Sequence, residues 1–297
     1  MITQNRFLCY AFSMIDLHTH STASDGSLPP SELISYAAAK GIRVLALTDH
    51  DTDSGLTEAA DAASRADVTF VPGIELNVSW PTGEFHLLGL GLQHTDPALA
   101  RIIAFLQEGR KNRNSQIIEK MKNDGFDVSL TELQSAYPGA IIGRPHIAEY
   151  FVRQKICKNR QQAFDTYLGK GRPYYVERTG ADLDDAIGAV CKSGGIPVLA
   201  HPLSLYVSWG KMEPVLAELK ERGIQGLEAF HPGARKTEAL RLEELARKLG
   251  FFVTAGSDFH GENVRKDRKI GHSSGAEKIS DRFWTEELEP RLGSARH

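Results

Sequence analysis

Residues 14–27 read MIDLHTHSTASDGS, and this stretch decides the fold. Side chains on a strand alternate between its faces. Asp16, His18 and His20 therefore share one face, and Ile15 and Leu17 the other. A lone histidine beside apolar residues is usually satisfied by its neighbours. A His-x-His pair at a strand end is different: it sets two imidazole nitrogens at metal-binding separation, and neutral imidazole is a common ligand of first-row divalent metals. On these residues alone a metal site and a polar strand face stay equally open, so the rest of the chain must decide.

The chain has 297 residues, 41% of them apolar and 25% charged, which is ordinary for a globular protein of one large domain or two small ones. No run of apolar residues is long enough to span a bilayer, so membrane proteins are excluded at this stage. The leader MITQNRFLCYAFS, residues 1–13, has too short an apolar core for a signal peptide. It reads as an N-terminal extension, with Met14 directly before the first strand as an alternative start. Cys9, Cys157 and Cys191 are widely spaced and form neither a Cys-x-x-Cys pattern nor a disulfide framework, so a reducing cytoplasm is expected. The net charge of −3 hides an asymmetry: residues 101–178 hold 14 basic and 8 acidic side chains. That segment is the candidate for anion contact, although most of its charges suit solvated helix faces.

Short apolar runs alternate with helical patterns. Strands are expected at VLALTDH (44–50), VTFVPGIELNVSW (68–80, bent at Pro72-Gly73), FHLLGLGL (85–92), IPVLAHP, IQGLEAF and FFVTAGSDFH. Helical spacing lies between most of them. Residues 98–172 break the rhythm: they look helical and polar, and read as a helical insertion domain between the barrel segments 14–97 and 173–290. The alternation argues for an α/β fold with a mostly parallel sheet, open or closed as a barrel, and helices outside it.

In a βα barrel the chemistry sits at the C-terminal strand ends. His18, His20, Asp49, His50, Glu75, His86, His201, Asp258 and His260 all fall at or near such ends. Six of the eleven histidines lie at the edges of apolar strands, a placement scattered core histidines would not choose. The metal reading therefore prevails. The set exceeds what one ion needs, and imidazoles mixed with carboxylates suit Mn²⁺, Fe²⁺ or Zn²⁺ better than Mg²⁺ or Ca²⁺. Two or three ions sharing a carboxylate account for it, and close metal pairs suit phosphoryl transfer.

The ordered motifs DLHTHS, TDH, GIE, FHLLGL, AHP and GSDFH resemble those of the PHP (polymerase and histidinol phosphatase) family. The resemblance implies a distorted seven-stranded (β/α)7 barrel of amidohydrolase-like kind. The insertion carrying GRPHIA resembles the branch acting on nucleoside 3′,5′-bisphosphates such as pAp and on short RNA from its 5′ end. It implies three metal positions: His18, His20, Glu75 and Asp258; then Glu75, His86 and His201; then Asp25, His50 and His260. Many relatives carry histidine where this chain has Asp25. Asp16 and Asp49 are expected to orient ligand histidines from behind. Asp258 would accept a proton, and His201 or a metal-bound water would protonate the leaving oxygen. Mn²⁺ is the foremost metal, with Zn²⁺ or Fe²⁺ as alternatives, two or three ions per chain.

A phosphorylated substrate needs further cations. Arg144 and His146 are the first candidates, Lys111 and Asn114 (one helical turn apart) the second, and His231 ends another strand and is expected in the pocket. The expected reaction is removal of the 3′-phosphate of pAp. Exonuclease action on short 5′-phosphorylated RNA is its rival at the same site. Without a broad basic stripe, long duplex nucleic acid is not expected to be held, and no obligate protein partner is evident. Hydrolysis of histidinol phosphate is disfavoured by the large insertion. Amide or lactone hydrolysis is a rival of another class, which a phosphate-binding arginine argues against. A closed structural metal site would use fewer ligands.

Overall fold

The computed structural model describes residues 14–137 and 142–294; the expected extension 1–13 lies outside the described residues. Seven strands run in the order of the chain: β1 (Met14–Asp16), β2 (Ile42–Leu47), β3 (Thr69–Val78), β4 (Phe85–Leu90), β5 (Ile196–Leu199), β6 (Gly226–Phe230) and β7 (Phe252–Ala255). β4 is antiparallel to both of its neighbours, and every other pair is parallel. The seam between first and last strands is bridged beyond their ends. Leu17 N donates to Ala255 O (3.3 Å), Asp258 N to His18 O (2.9 Å) and His20 N to Phe259 O (2.9 Å). The sheet thus curls back on itself, in agreement with the barrel expectation.

The bend expected at Pro72-Gly73 is instead a change of partner within one continuous strand. β3 pairs β2 through residues 69–72 and β4 through residues 73–78. Proline lacks a donor, and its carbonyl accepts Gly91 N (2.8 Å) and Leu92 N (2.9 Å), so it sits where the ladder changes sides.

The main core fills the space between strands β3–β7 and the helices outside them, α7 (Leu183–Lys192), α8 (Trp209–Glu221) and α9 (Lys236–Leu249). A smaller cluster lies under α1 (Pro30–Ala39) and α2 (Leu56–Ala63). After β4 comes one 27-residue helix, α3 (Pro97–Asn123), capped by Asp96 accepting from Ala98 N (2.8 Å), with Lys120 and Lys122 in its last turn. Its ends belong to different cores: Leu99, Ile103 and Leu106 pack on the barrel, whereas Ile117, Ile118 and Met121 pack into a separate cluster. That second cluster also holds residues of α4 (Leu130–Ala136), α5 (Arg144–Arg153) and α6 (Arg160–Ala163). Between the two apolar ends α3 buries Arg110, Arg113 and Asn114. The helix is thus a strut whose polar middle crosses the cleft between barrel and insertion. No helix among the described residues is long and apolar enough to cross a membrane.

Candidate metal centre

Glu75 is the hub. Fully buried on β3, it has His86 Nδ1 at 2.8 Å and His201 Nε2 at 3.1 Å from Oε1. Around Oε2 stand His50 Nδ1 at 2.8 Å, His20 Nε2 at 3.3 Å and His18 Nε2 at 3.4 Å. Burial alone would raise a carboxylate's pKa, but the imidazoles outweigh it and hold Glu75 well below the usual range. Asp258 closes one side, with His20 Nε2 and His260 Nδ1 each 3.4 Å from Oδ1. Asp25 closes another, 3.2 Å from His260 Nε2 and 3.9 Å from His50 Nε2.

The tautomers follow from the partners behind the rings. His18 Nδ1 faces Glu228 Oε1 at 3.0 Å, so Nδ1 carries the proton and donates. Ser204 Oγ donates to Glu84 O (2.8 Å), so its lone pair accepts from His201 Nδ1 (2.9 Å). His260 Nδ1 donates to Asp258 O (2.9 Å). In all three rings the neutral Nε2 then presents a lone pair to a carboxylate oxygen, which repels unless a cation or proton lies between. Buried atoms left without a hydrogen-bond partner tell the same story: His18 Nε2, both nitrogens of His20, His50 Nδ1 and Glu75 Oε2. Oxygen or nitrogen ligands about 2.0–2.2 Å from one ion lie roughly 3–3.5 Å from each other, the spacing these atoms have. Three overlapping groups could hold an ion: His18, His20 and Glu75; His50, Glu75 and His86; His20, Asp25, His50 and His260. The donor set therefore fits divalent metals. At His86, Arg178 Nη1 stands 2.8 Å from Nε2, and Nδ1 is the nitrogen turned to Glu75 and the candidate ion.

Two of the residues sit in strained backbone. His201 has φ 28° and ψ 67°, and Asp258 has φ 52°. Left-handed conformations of such residues cost about 1–3 kcal/mol each and persist only where surroundings impose them. Here Glu228 Oε2 accepts from His201 N (2.8 Å), and the seam holds Asp258 N. Gly256 allows the close approach beside them: a Cβ there would lie 2.2 Å from His18 Cβ and 2.6 Å from Glu228 Oε1.

Asp16 and Asp49 correct an expectation, since neither hydrogen-bonds an imidazole. Asp16 accepts from the backbone N of His18 (3.3 Å), Ser257 (2.9 Å) and Gly271 (2.8 Å). Asp49 accepts from Ser21 N (2.7 Å), Ser21 Oγ (2.6 Å) and Ser24 Oγ (2.6 Å). Both fix the backbone that carries the cluster. The carboxylate behind a ring is Glu228, buried in β6, which sequence reasoning missed; its signal was an acidic residue inside the apolar run GLEAF, where a charge needs a partner.

The cluster opens into a cavity of about 1420 Å³. Four guanidiniums line that cavity within electrostatic reach of one another: Arg110 pairs with Asp51, Arg144 with Glu84 (3.4 Å), Arg178 with His86, and Arg113 has no hydrogen bond at Nε. Burial pushes the Arg113 pKa down, and Arg178, Arg110 and Arg144 push it further. Arg113 is 4% exposed, so its charge is both desolvated and under-compensated, a condition a bound anion relieves. Also in the cavity, His231 accepts from Gly233 N at Nδ1 (3.0 Å), leaving Nε2–H toward Asp258 Oδ2 (3.3 Å), with buried Arg268 beside it (3.3 Å).

Of the expected substrate contacts, Arg144 and His231 reach the cavity. Lys111 and Asn114 do not line it, and buried His146 lies near Asp25 and Arg110. The Lys111 side chain is 72% exposed beside Glu108, because it lies just past the buried edge of α3. Asn114 donates to Ile142 O (2.5 Å). His146 accepts from Gly143 N at Nδ1 (2.9 Å) and packs edge-on against Tyr137, so it caps α5.

A family model described as the PHP domain matches residues 16–169. A 3′,5′-nucleoside bisphosphate phosphatase of Chromobacterium violaceum is 34% identical over 286 residues, 94% of this chain and 97% of that one. A 5′-3′ exoribonuclease of Haemophilus influenzae is 34% identical over 245 residues, 82% of this chain and 89% of its own. Among solved structures, an amidohydrolase of Chromobacterium violaceum with bound sulfate and no metal superposes with a TM-score of 0.81 at 33% identity, covering 95% of this chain and 96% of that one.

Proposed function

The chain belongs to the PHP domain family and is a metal-dependent phosphoesterase, and on that footing we propose that it removes the 3′-phosphate of nucleoside 3′,5′-bisphosphates, converting pAp to AMP and phosphate. One observation carries the reading: a metal-ligand cluster and a cluster of four arginines open into the same cavity. A ligand with two phosphates satisfies both. One phosphate lies at the histidine–carboxylate cluster. The other is held by Arg144 together with Arg110, Arg113 and Arg178.

The proposed metal holders are His18, His20, Asp25, His50, Glu75, His86, His201, Asp258 and His260, for two or three ions, foremost Mn²⁺. When bound, such ions neutralise phosphoryl charge and lower the pKa of water. The chain's own residues do the rest. Asp258 is the proposed proton acceptor, its carboxylate held by His231 and Arg268 from behind. The proposed proton donor to the leaving 3′ oxygen is His201, when its Nε2 is not committed to an ion, or else water. In the metal-free site burial works to lower the His201 pKa, but the hydrogen bond and charge of Glu75 outweigh this and raise it. Ser204 fixes the His201 ring through Nδ1. Residues 98–172 act as the substrate-binding insertion, and the free Cys157 and Cys191 suit a reducing cytoplasm.

A second reading, exonuclease action on short 5′-phosphorylated RNA, is favoured by the cavity's extension past Arg144 to Phe164, Tyr175, Lys158 and Lys170, more room than one nucleotide needs. Phosphate release from pAp, AMP, an aryl phosphate and a 5′-phosphorylated dinucleotide, with Mn²⁺ and after chelation, tests both. Fast chelator-sensitive release from pAp with little from AMP supports the phosphatase. Nucleotide release from the dinucleotide at a similar rate supports the exonuclease. Cleavage of none of them rejects both.

A further inference from the structure

Tyr206 is the most exposed large apolar side chain among the described residues, 78% accessible, yet it lines the same cavity as the histidine cluster. Its backbone is left-handed, φ 52° and ψ 38°, a conformation that a bulky residue adopts at a cost. The surroundings impose it. Thr82 Oγ1 and Gly83 N both donate to Leu205 O, at 2.6 and 3.1 Å. Glu84 N donates to Ser204 O (2.7 Å), and Ser204 Oγ donates back to Glu84 O (2.8 Å). Gly83 has no room for a side chain, since a Cβ would lie 1.9 Å from Ser204 O and 2.8 Å from Tyr206 Cδ2. One edge of the phenol ring therefore rests on the Gly83 backbone, and no side-chain hydrogen bond of its own ties it elsewhere. The same loop is anchored to the site, because Ser204 accepts from His201 Nδ1 (2.9 Å).

A strained, pinned loop that presents an aromatic face to water does nothing for the core. A stacking surface must hold a π-face in place, and a loop already pinned leaves no ordering for the moment of binding. Aromatic side chains beside a cationic groove are the general means of holding nucleobases. In the same cavity Arg144 lies 5.8 Å from the Tyr175 ring and 5.9 Å from that of Phe164, and supplies the groove's cation.

We infer that Tyr206 is a stacking platform for the nucleobase of the nucleotide whose phosphate lies at the histidine cluster. The inference rests on the nucleotide reading above and names the residue that recognises the base. Its test compares pAp with ribose 3,5-bisphosphate, which keeps both phosphates and lacks the base, on the Mn²⁺-loaded full chain. Tyr206→Ala is expected to raise the KM for pAp about 10-fold, within the range of base–aromatic stacking, with kcat unchanged and no effect on the sugar bisphosphate. Tyr206→Phe is expected to match the parent on both substrates. Calorimetric binding of pAp to the chelated protein reads the platform without turnover. If pAp turns over and Tyr206→Ala equals the parent on both substrates, the platform is wrong and the phosphatase stands. If pAp is not hydrolysed but Tyr206→Ala weakens its binding about 10-fold, the platform stands and the reaction assignment falls. If Tyr206→Ala loses as much on the sugar bisphosphate as on pAp, or if pAp neither binds nor reacts, the platform is overturned.

Discussion

Glu228→Gln replaces a carboxylate by an amide of nearly the same shape. In the parent, Oε1 accepts from His18 Nδ1 (3.0 Å) and Oε2 accepts from the backbone N of His201 (2.8 Å). Glutamine has one oxygen, so whichever way the amide turns, its NH₂ faces a donor. One buried donor is then unsatisfied, which costs about 1–3 kcal/mol, a sizeable part of a total stability of roughly 5–15 kcal/mol. If the oxygen keeps His201 N, His18 loses the acceptor that fixes its tautomer. Loss of such a partner behind a ligating histidine weakens metal binding about 10–100-fold. Urea unfolding of the chelated protein reads the first effect, and calorimetric Mn²⁺ titration the second. Both are expected to fall. A variant with the parent's unfolding midpoint and Mn²⁺ affinity would refute the assignment of Glu228 as the residue that orients His18. Lowered stability with unchanged Mn²⁺ affinity would remove His18 Nε2 from the ligand set.

Arg144→Ala is expected to weaken pAp more than an aryl phosphate in kcat/KM; equal losses would place the second phosphate elsewhere. Arg113→Met removes an under-compensated buried charge, so it should stabilise the substrate-free protein by about 1–3 kcal/mol in urea while raising the KM for pAp. A loss of stability would show that Arg113 is already compensated. Burial tends to raise the Asp51 pKa, but Arg110 and Arg178 outweigh it and hold it below its ordinary 3.8. The stability Asp51 contributes is thus fully present above that unfolded value and is lost as pH falls below it, and Asp51→Asn should flatten the acid limb of the stability curve. In the metal-free protein, burial works against a charged His260, but Asp25 and Asp258 outweigh it and raise the pKa to about 9. Mn²⁺ uptake at pH 7 should therefore release protons, visible as a binding enthalpy that changes with the buffer's ionisation enthalpy; an invariant enthalpy would contradict this.

The strand-end histidines were legible because period-two alternation and apolar runs place them without any tertiary information. Glu75 and Asp258 came with them. The arginine cluster was not, because Arg110, Arg113, Arg144 and Arg178 come from three separated segments that meet only when α3 spans both cores. Lys111 was misread for a related reason. Helical spacing says which residues neighbour one another, but not where the buried sector ends, and α3 ends it between Arg110 and Lys111. His146 lies in the first turn of α5, where its Nδ1 accepts from Gly143 N while Asp25 and Arg110 lie near the ring, a placement that the spacing of RPH does not reveal.

The hydrogen bonds that join residues 17–20 to residues 255–259 run through the backbone of His18, His20 and Asp258 themselves. The same seam ties Asp16 to Ser257, 241 positions away in sequence. Contacts of such separation are the slowest to form, since the chain must close its largest loop before they return anything. The ribosome must therefore release nearly the whole polypeptide before the cluster can assemble. A nascent or truncated chain that stops before Phe252 lacks Asp258, His260 and the backbone seam that holds residues 17–20. Recovery of activity during refolding should accordingly lag recovery of helical circular dichroism, with the last strand's arrival setting the delay.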